Sequence, residues 1–202
     1  MKSASLTIAA VLLSIAFCKP GSAADKTAEL ASRTCGLCHG AKGDSTSSAF
    51  PRLAGQQPAY VEAQLKAFRA QTRGDPAAQA YMWAMASRLD DQTIADLAVF
   101  YAAQKPAAGV PGDTTLMTEG KSIYENGIAE QKVLACGSCH GPAAEGKDAI
   151  PRLAGQHAPY LVKQLVYFKS LLRANAPIMH AAVGENMTLR QMEAVAAYVA
   201  SK

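Results

Sequence analysis

The chain has 202 residues, half of them apolar and only 18% charged, with a formal net charge of +4. That length holds one ordinary domain or two small ones, and the lack of any Lys- or Arg-rich run argues against a nucleic-acid partner. Much of the apolar content is alanine, so small domains built from it have thin cores and need a staple such as a disulfide, metal or cofactor.

Residues 1–24 read as a secretory signal peptide. Lys2 gives a positive start, "LTIAAVLLSIAF" is too short to span a bilayer, and "GSAAD" offers small residues for cleavage near Ala24. A retained anchor is the alternative, as is a lipoprotein through Cys18, although Phe17 is a poor small-residue match before it. Cleavage removes Lys2, Cys18 and Lys19, leaves the charge close to neutral, and implies a periplasmic location.

The four remaining cysteines all lie in C-x-x-C-H: Cys35, Cys38 and His39 in "CGLCH", and Cys136, Cys139 and His140 in "CGSCH". The spacing i, i+3, i+4 places each trio on one face of a helix. The next helix begins near Pro58, with apolar residues at Val61, Leu65 and Phe68. "AYMWAMASRLDD" follows, carrying Met82, Trp83 and Met85, and then a helix with Asp90 as N-cap and a stripe of Ile94, Leu97, Ala98 and Tyr101.

After the Pro- and Gly-rich joint the pattern repeats. Cys136 lies 101 residues after Cys35, and the shared "PRLAGQ" is offset by 100, as are Tyr60/Tyr160, Leu65/Leu165 and Phe68/Phe168. The final helix matches at an offset of 98, with Thr188 and Gln191 as a capping box and Met192, Val195, Ala196 and Val199 as its stripe. Two copies read as tandem homologous domains, 25–104 and 116–202, joined by a linker at 105–115, in an all-α fold with no convincing strand.

Three chemistries compete for the C-x-x-C-H motifs. A zinc site of four thiolates would leave both histidines unexplained. A thiol–disulfide pair belongs with βαβ folds, which this pattern lacks. Covalent c-type haem fits best: both cysteines form thioethers to one porphyrin, and the histidine meets the iron from the same side. Two haem c groups would also supply the missing core. His39 and His140 are then the proximal ligands, each expected to donate its other ring N–H to a carbonyl in "FPRLAG" or "IPRLAG". Arg52 and Arg152 either pair with haem propionates or sit on the solvated surface. His157, whose counterpart is Gln57, reads as surface.

The sixth ligand is harder. Ungapped register maps Met82 onto His180 and Met85 onto Val183. A ligand position must hold a ligand in both copies, so Met82 is the first distal ligand, Met85 is packing, and Trp83 is pocket wall. For the second haem, register points to His180. A one-residue slip in "VGEN" brings Met179 into place, and Met179 is the reading adopted, with His180 as competitor.

Twin "CxxCHG", twin "PRLAGQ…Y…QL…F" and a Met shortly before "LDDQTIADLAVFYAAQKP" resemble the cytochrome c4 family of dihaem periplasmic cytochromes, over essentially the whole mature chain. The resemblance implies two tandem class-I cytochrome c-like domains related by pseudo-twofold symmetry, with haem propionates near the domain interface. It implies single-electron shuttling between membrane respiratory complexes, towards a terminal oxidase. Transient redox partners and an apolar haem-edge patch with a polar rim are expected, with no catalytic residue and no small-molecule substrate. The rivals are a cytochrome subunit of a periplasmic dehydrogenase complex, a gas sensor, and a haem enzyme such as a dihaem peroxidase.

Overall fold

The structure is a computed structural model that describes residues 23–183 and 187–202. The signal-peptide reading falls almost wholly outside the described residues, as does most of "VGEN".

In the first domain, α1 (Ala23–Glu29) runs through a more loosely wound stretch, Leu30–Cys35, straight into α2 (Gly36–His39). Next come α3 (Pro58–Arg69), α4 (Trp83–Ala86) and α5 (Asp91–Ala102). Pro58 suits the first turn of α3, where a backbone N–H has no partner anyway. The Asp90 carboxylate caps α5 by accepting the Thr93 N–H at 2.7 Å.

The second domain repeats this order: α6 (Thr114–Asn126), α7 (Gly137–His140), α8 (Ala158–Lys169), α9 (Pro177–Val183) and α10 (Leu189–Ala200). Thr188 and Gln191 form the expected capping box on α10. One difference is local: a loop at 127–135 separates α6 from α7, where the first copy is continuous. That loop is tied down by Leu134 N–H donating to Ala182 O at 3.1 Å. Among the described residues the only extended pairings are two isolated bridges, so the fold is all-α.

The stripes on the last helices are the cores. Ile94, Leu97, Ala98 and Tyr101 are at most 2% exposed, and Met192, Val195, Ala196 and Val199 at most 5%. Backbone-to-backbone approach sets the α6–α10 crossing: a Cβ added at Gly120 would lie 1.9 Å from Ala194 O. Only glycine fits there.

Helix α6 claims Thr114 and Thr115 from the expected linker. The rest is irregular but anchored, with Val110 N–H donating to Ala200 O at 2.9 Å.

The two "PRLAGQ" loops face each other and close a reciprocal lock. Gln156 Oε1 accepts Arg52 N–H at 2.9 Å while its Nε2 donates to Arg52 O at 2.9 Å. Gln56 does the same to Arg152, at 2.7 and 3.0 Å. Flanking this, Gln57 Nε2 donates to Glu145 O at 3.0 Å and His157 Nε2 to Ser45 O at 2.9 Å. His157 is therefore an interface residue, not the surface residue expected from its Gln57 counterpart.

Candidate functional site

Helices α2 and α7 stop at His39 and His140 because Gly40 and Gly141 follow, with φ of 80° and 81°, a region that side chains other than hydrogen disfavour. Cys35 and Cys136 are half-buried, Cys38 and Cys139 exposed, and none of the four is paired in a disulfide. Burial pushes the Cys136 thiol up to about 11 and raises Cys35 as well. A redox C-x-x-C works by the opposite shift, a depressed thiol pKa. Among the described residues no three His, Cys, Asp or Glu side chains gather where they could hold a metal ion, so the four-thiolate zinc site is not assembled.

Each histidine is fixed as its sequence suggests. His39 Nδ1 lies 2.9 Å from Pro51 O, and His140 Nδ1 lies 2.9 Å from Pro151 O. A carbonyl can only accept, so Nδ1 carries the hydrogen and Nε2 keeps its lone pair. Burial lowers both pKa values below that of a free imidazole, with the carbonyl contact opposing it, so the neutral form prevails.

Above these imidazoles a continuous cavity of about 640 Å³ runs through both domains, with His39, Met82, His140 and Met179 in its lining. His180 is absent from that lining. Its Nε2 sits 2.8 Å from Arg173 O, and its ring packs on Phe168 at 6.2 Å. Trp83 makes the same contact in the first copy, its Nε1 donating to Arg73 O at 2.8 Å. Because Arg73 and Arg173 are equivalents 100 apart, Trp83 and His180 are equivalents 97 apart, and Met82 corresponds to Met179. The buried pair Ala86 and Val183 keeps the same offset.

The ungapped register is therefore overturned between residues 176 and 183. The segment after Arg173 is three residues shorter than its counterpart. One residue is regained before the N-caps Asp90 and Thr188, which return to an offset of 98. Two further expectations change. Trp83 is not cavity wall but a brace on the Arg73 carbonyl. Met85 is not core packing: it is 45% exposed at the cavity rim.

Neither PRLAGQ arginine is free surface. Arg52 spans the interface, its Nη1 donating to Gly155 O and its Nε to Ser45 O at 3.3 Å. Arg152 lines the cavity with its Nε buried and without a protein partner. Sequence reasoning missed a second polar seam: Tyr60, Gln64, Arg73 and Asp75 meet Gln164, Arg173 and Asn175 inside the interface. Its signal was available, since these polar residues recur at the same 100-residue offset as the apolar ones.

These residues fit haem c. An apolar cavity covers each Cys-Cys-His face, a thioether lines it in each domain, and the unpartnered buried Nε atoms of Arg152 and Arg173 suit the carboxylates such a group carries.

Two helical domains, each closing a C-x-x-C-H helix end under an apolar cavity, define a two-domain c-type cytochrome. The cytochrome c family model matches twice, at residues 24–102 and 117–202. Cytochrome c-552 of Acidithiobacillus ferridurans is 40% identical over 84% of this chain and 74% of its own length. Cytochrome c4 of Azotobacter vinelandii is 38% identical over 79% of this chain and 76% of its own. A thiosulfate dehydrogenase electron acceptor from Thiomonas intermedia is 34% identical over 96% of this chain and 88% of its own. The solved structure of Acidithiobacillus ferrooxidans cytochrome c4 superposes with a TM-score of 0.78 at 40% identity, over 83% of this chain and 98% of that one. The chain belongs to the cytochrome c4 family. It binds two covalently attached haem c groups and is an electron-transfer protein, not an enzyme.

Proposed function

We propose that residues 1–24 are removed on export and that the mature protein works in the periplasm as a soluble shuttle. It carries single electrons between membrane respiratory complexes and towards a terminal oxidase. Cys35 and Cys38 hold the first haem by thioethers, with His39 and Met82 on its iron. Cys136 and Cys139 hold the second, with His140 and Met179.

The observation that carries this reading is the duplicated site. Each C-x-x-C-H helix end presents an imidazole whose Nδ1 is fixed at 2.9 Å to a proline carbonyl, facing a cavity that its own domain's methionine also lines. When bound, haem supplies one-electron Fe(II)/Fe(III) chemistry, and methionine ligation raises its potential. The chain does the rest. The proline carbonyls orient the proximal rings, Arg73 O and Arg173 O anchor the residues next to the methionines, and apolar side chains keep water out. Such fixed ligation holds structural change on electron transfer small.

Apolar side chains also mark a docking rim. Tyr81, Met85, Leu134 and Ile178 line the cavity yet are 55%, 45%, 56% and 70% exposed. Such a small patch suits brief redox encounters. Among the described residues no helix is long and apolar enough to cross a membrane.

The test is direct. Ferrous holoprotein mixed with washed membranes from its own host should be reoxidised catalytically, and cyanide should stop it. A second reading, electron acceptor to a periplasmic dehydrogenase, is favoured by the likeness to a thiosulfate dehydrogenase electron acceptor. Stoichiometric co-purification with a dehydrogenase, with no reoxidation by membranes, would select it.

A further inference from the structure

The two copies differ at the residue after the lining methionine. Met82 is followed by Trp83, whose indole nitrogen can only donate and has no lone pair for a metal. Met179 is followed by His180, which keeps a lone pair on Nδ1 while its Nε2 faces Arg173 O at 2.8 Å. A second difference is the loop at 127–135, which the first copy lacks.

That loop is a closed hairpin, not a slack connection. Ile128 N–H donates to Val133 O at 2.9 Å, and Val133 N–H returns to Ile128 O at 3.1 Å. Its turn, Ala129–Gln131, ends on Lys132 in the left-handed conformation at φ 58°. Gly127 enters at φ 70°, where an added Cβ would lie 2.3 Å from Val133 O. Val133 is 4% exposed in the domain core, and Cys136 follows three residues later. Between them Leu134 N–H donates to Ala182 O at 3.1 Å, tying the haem-attachment segment to α9 by its main chain. Among the described residues no hydrogen bond joins Leu30–Cys35 to residues 78–86 in the first copy.

Helix α9 has seven residues, too few to hold its own orientation without tertiary anchors. Turning it by one residue, about 100°, would exchange Met179 for His180 at the cavity and carry its backbone atoms by roughly 3.5 Å. The bond from Leu134 does not survive that displacement. Ala182 lines the same cavity as Met179, three residues earlier on the same face, so the hairpin bears on the side of α9 that carries the thioether. We propose that the 127–135 hairpin selects the distal ligand of the second haem. Leu134 is its positioning residue: acting through the Ala182 carbonyl, its N–H fixes the rotation of α9 so that Met179 meets the iron and His180 does not. The first copy needs no strap, because Trp83 cannot compete. This rests on the reading of the second haem as held by His140 and Met179.

Holoprotein variants carrying two haems by mass are compared by near-infrared magnetic circular dichroism and by potentiometric titration. Leu134→Pro, which removes the N–H, should replace one of two methionine signatures by a histidine–histidine signature and lower the potential of the second haem alone. Leu134→Ala keeps the N–H and should keep both methionine signatures. Leu134→Pro combined with His180→Gln should show no histidine–histidine signature. The proposal is overturned if Leu134→Pro keeps both methionine signatures, if it loses one without a histidine–histidine signature in its place, or if Leu134→Ala switches as well. Where Leu134→Pro does not fold with two haems, Trp83→His decides. It places a competing imidazole in the copy without a strap and should displace Met82; retention of Met82 overturns the proposal. A wild type without a methionine signature at the second haem overturns the ligand reading itself, so the two failures are distinct.

Discussion

The imidazole Nε2 of His180 lies 2.8 Å from the backbone oxygen of Arg173. With Trp83 holding Arg73 in the same way, the aromatic residue after each lining methionine braces the turn that carries the buried arginine. His180→Gln should therefore leave two methionine signatures in near-infrared magnetic circular dichroism of the oxidised protein. Met179→Ala should remove one of them, and Met82→Ala the other. A histidine–histidine signature in the wild type, lost in His180→Gln, would reverse the assignment.

The reciprocal glutamines dock the domains. Gln56→Ala or Gln156→Ala removes two interdomain hydrogen bonds and leaves a partly buried backbone N–H and C=O without their protein partner, at a cost of about 1 kcal/mol each. Chemical denaturation followed at both haems should separate into two transitions in the double variant, and the 105–113 linker should become protease-sensitive.

His157 should make docking pH-dependent. Burial first, then the nearby Arg52 charge, lower its pKa from 6.5, against the opposing contact to Ser45 O. A depressed histidine pKa means the folded state prefers the neutral ring. Its contribution is complete above 6.5 and is lost as pH falls from 6.5 through the lower folded value. Because the ring is only partly buried, the loss should be under about 1 kcal/mol. Comparing unfolding of wild type and His157→Gln between pH 7 and 5 measures it, and the variant should show the shallower dependence.

Gly120→Ala drives a methyl group into the Ala194 carbonyl, where a Cβ would sit 1.9 Å away. Helices α6 and α10 must then separate, costing about 1–3 kcal/mol or more. Thermal unfolding monitored domain by domain should show the second domain melting first, with the first unaffected.

The covalent motifs, the duplication, the helices with their caps and the buried stripes of α5 and α10 were all legible, because each is a local pattern. The proline carbonyls on His39 and His140 were legible too, since motif and "PRLAG" lie only 11 or 12 residues apart. Register across 74–83 was not. The three-residue shortening falls before the methionines and the one-residue recovery after them, so the final helix's offset of 98 aimed Met82 at His180. Met85, Trp83 and His157 were misjudged for a related reason: a helix period names a face but not what that face meets.

Sequence alone determined that this protein attaches two haems in two copied helical domains, because thioether chemistry needs a fixed spacing of a few residues. Tertiary structure decided which side chain of the Met179–His180 pair faces the cavity, and that Gln56, Gln156, His157 and the Arg73–Arg173 seam join the halves. The first turns on the contact of His180 with Arg173 O inside one domain; the others depend on hydrogen bonds between groups some 90 to 110 residues apart, which only docking of the two domains brings to about 3 Å.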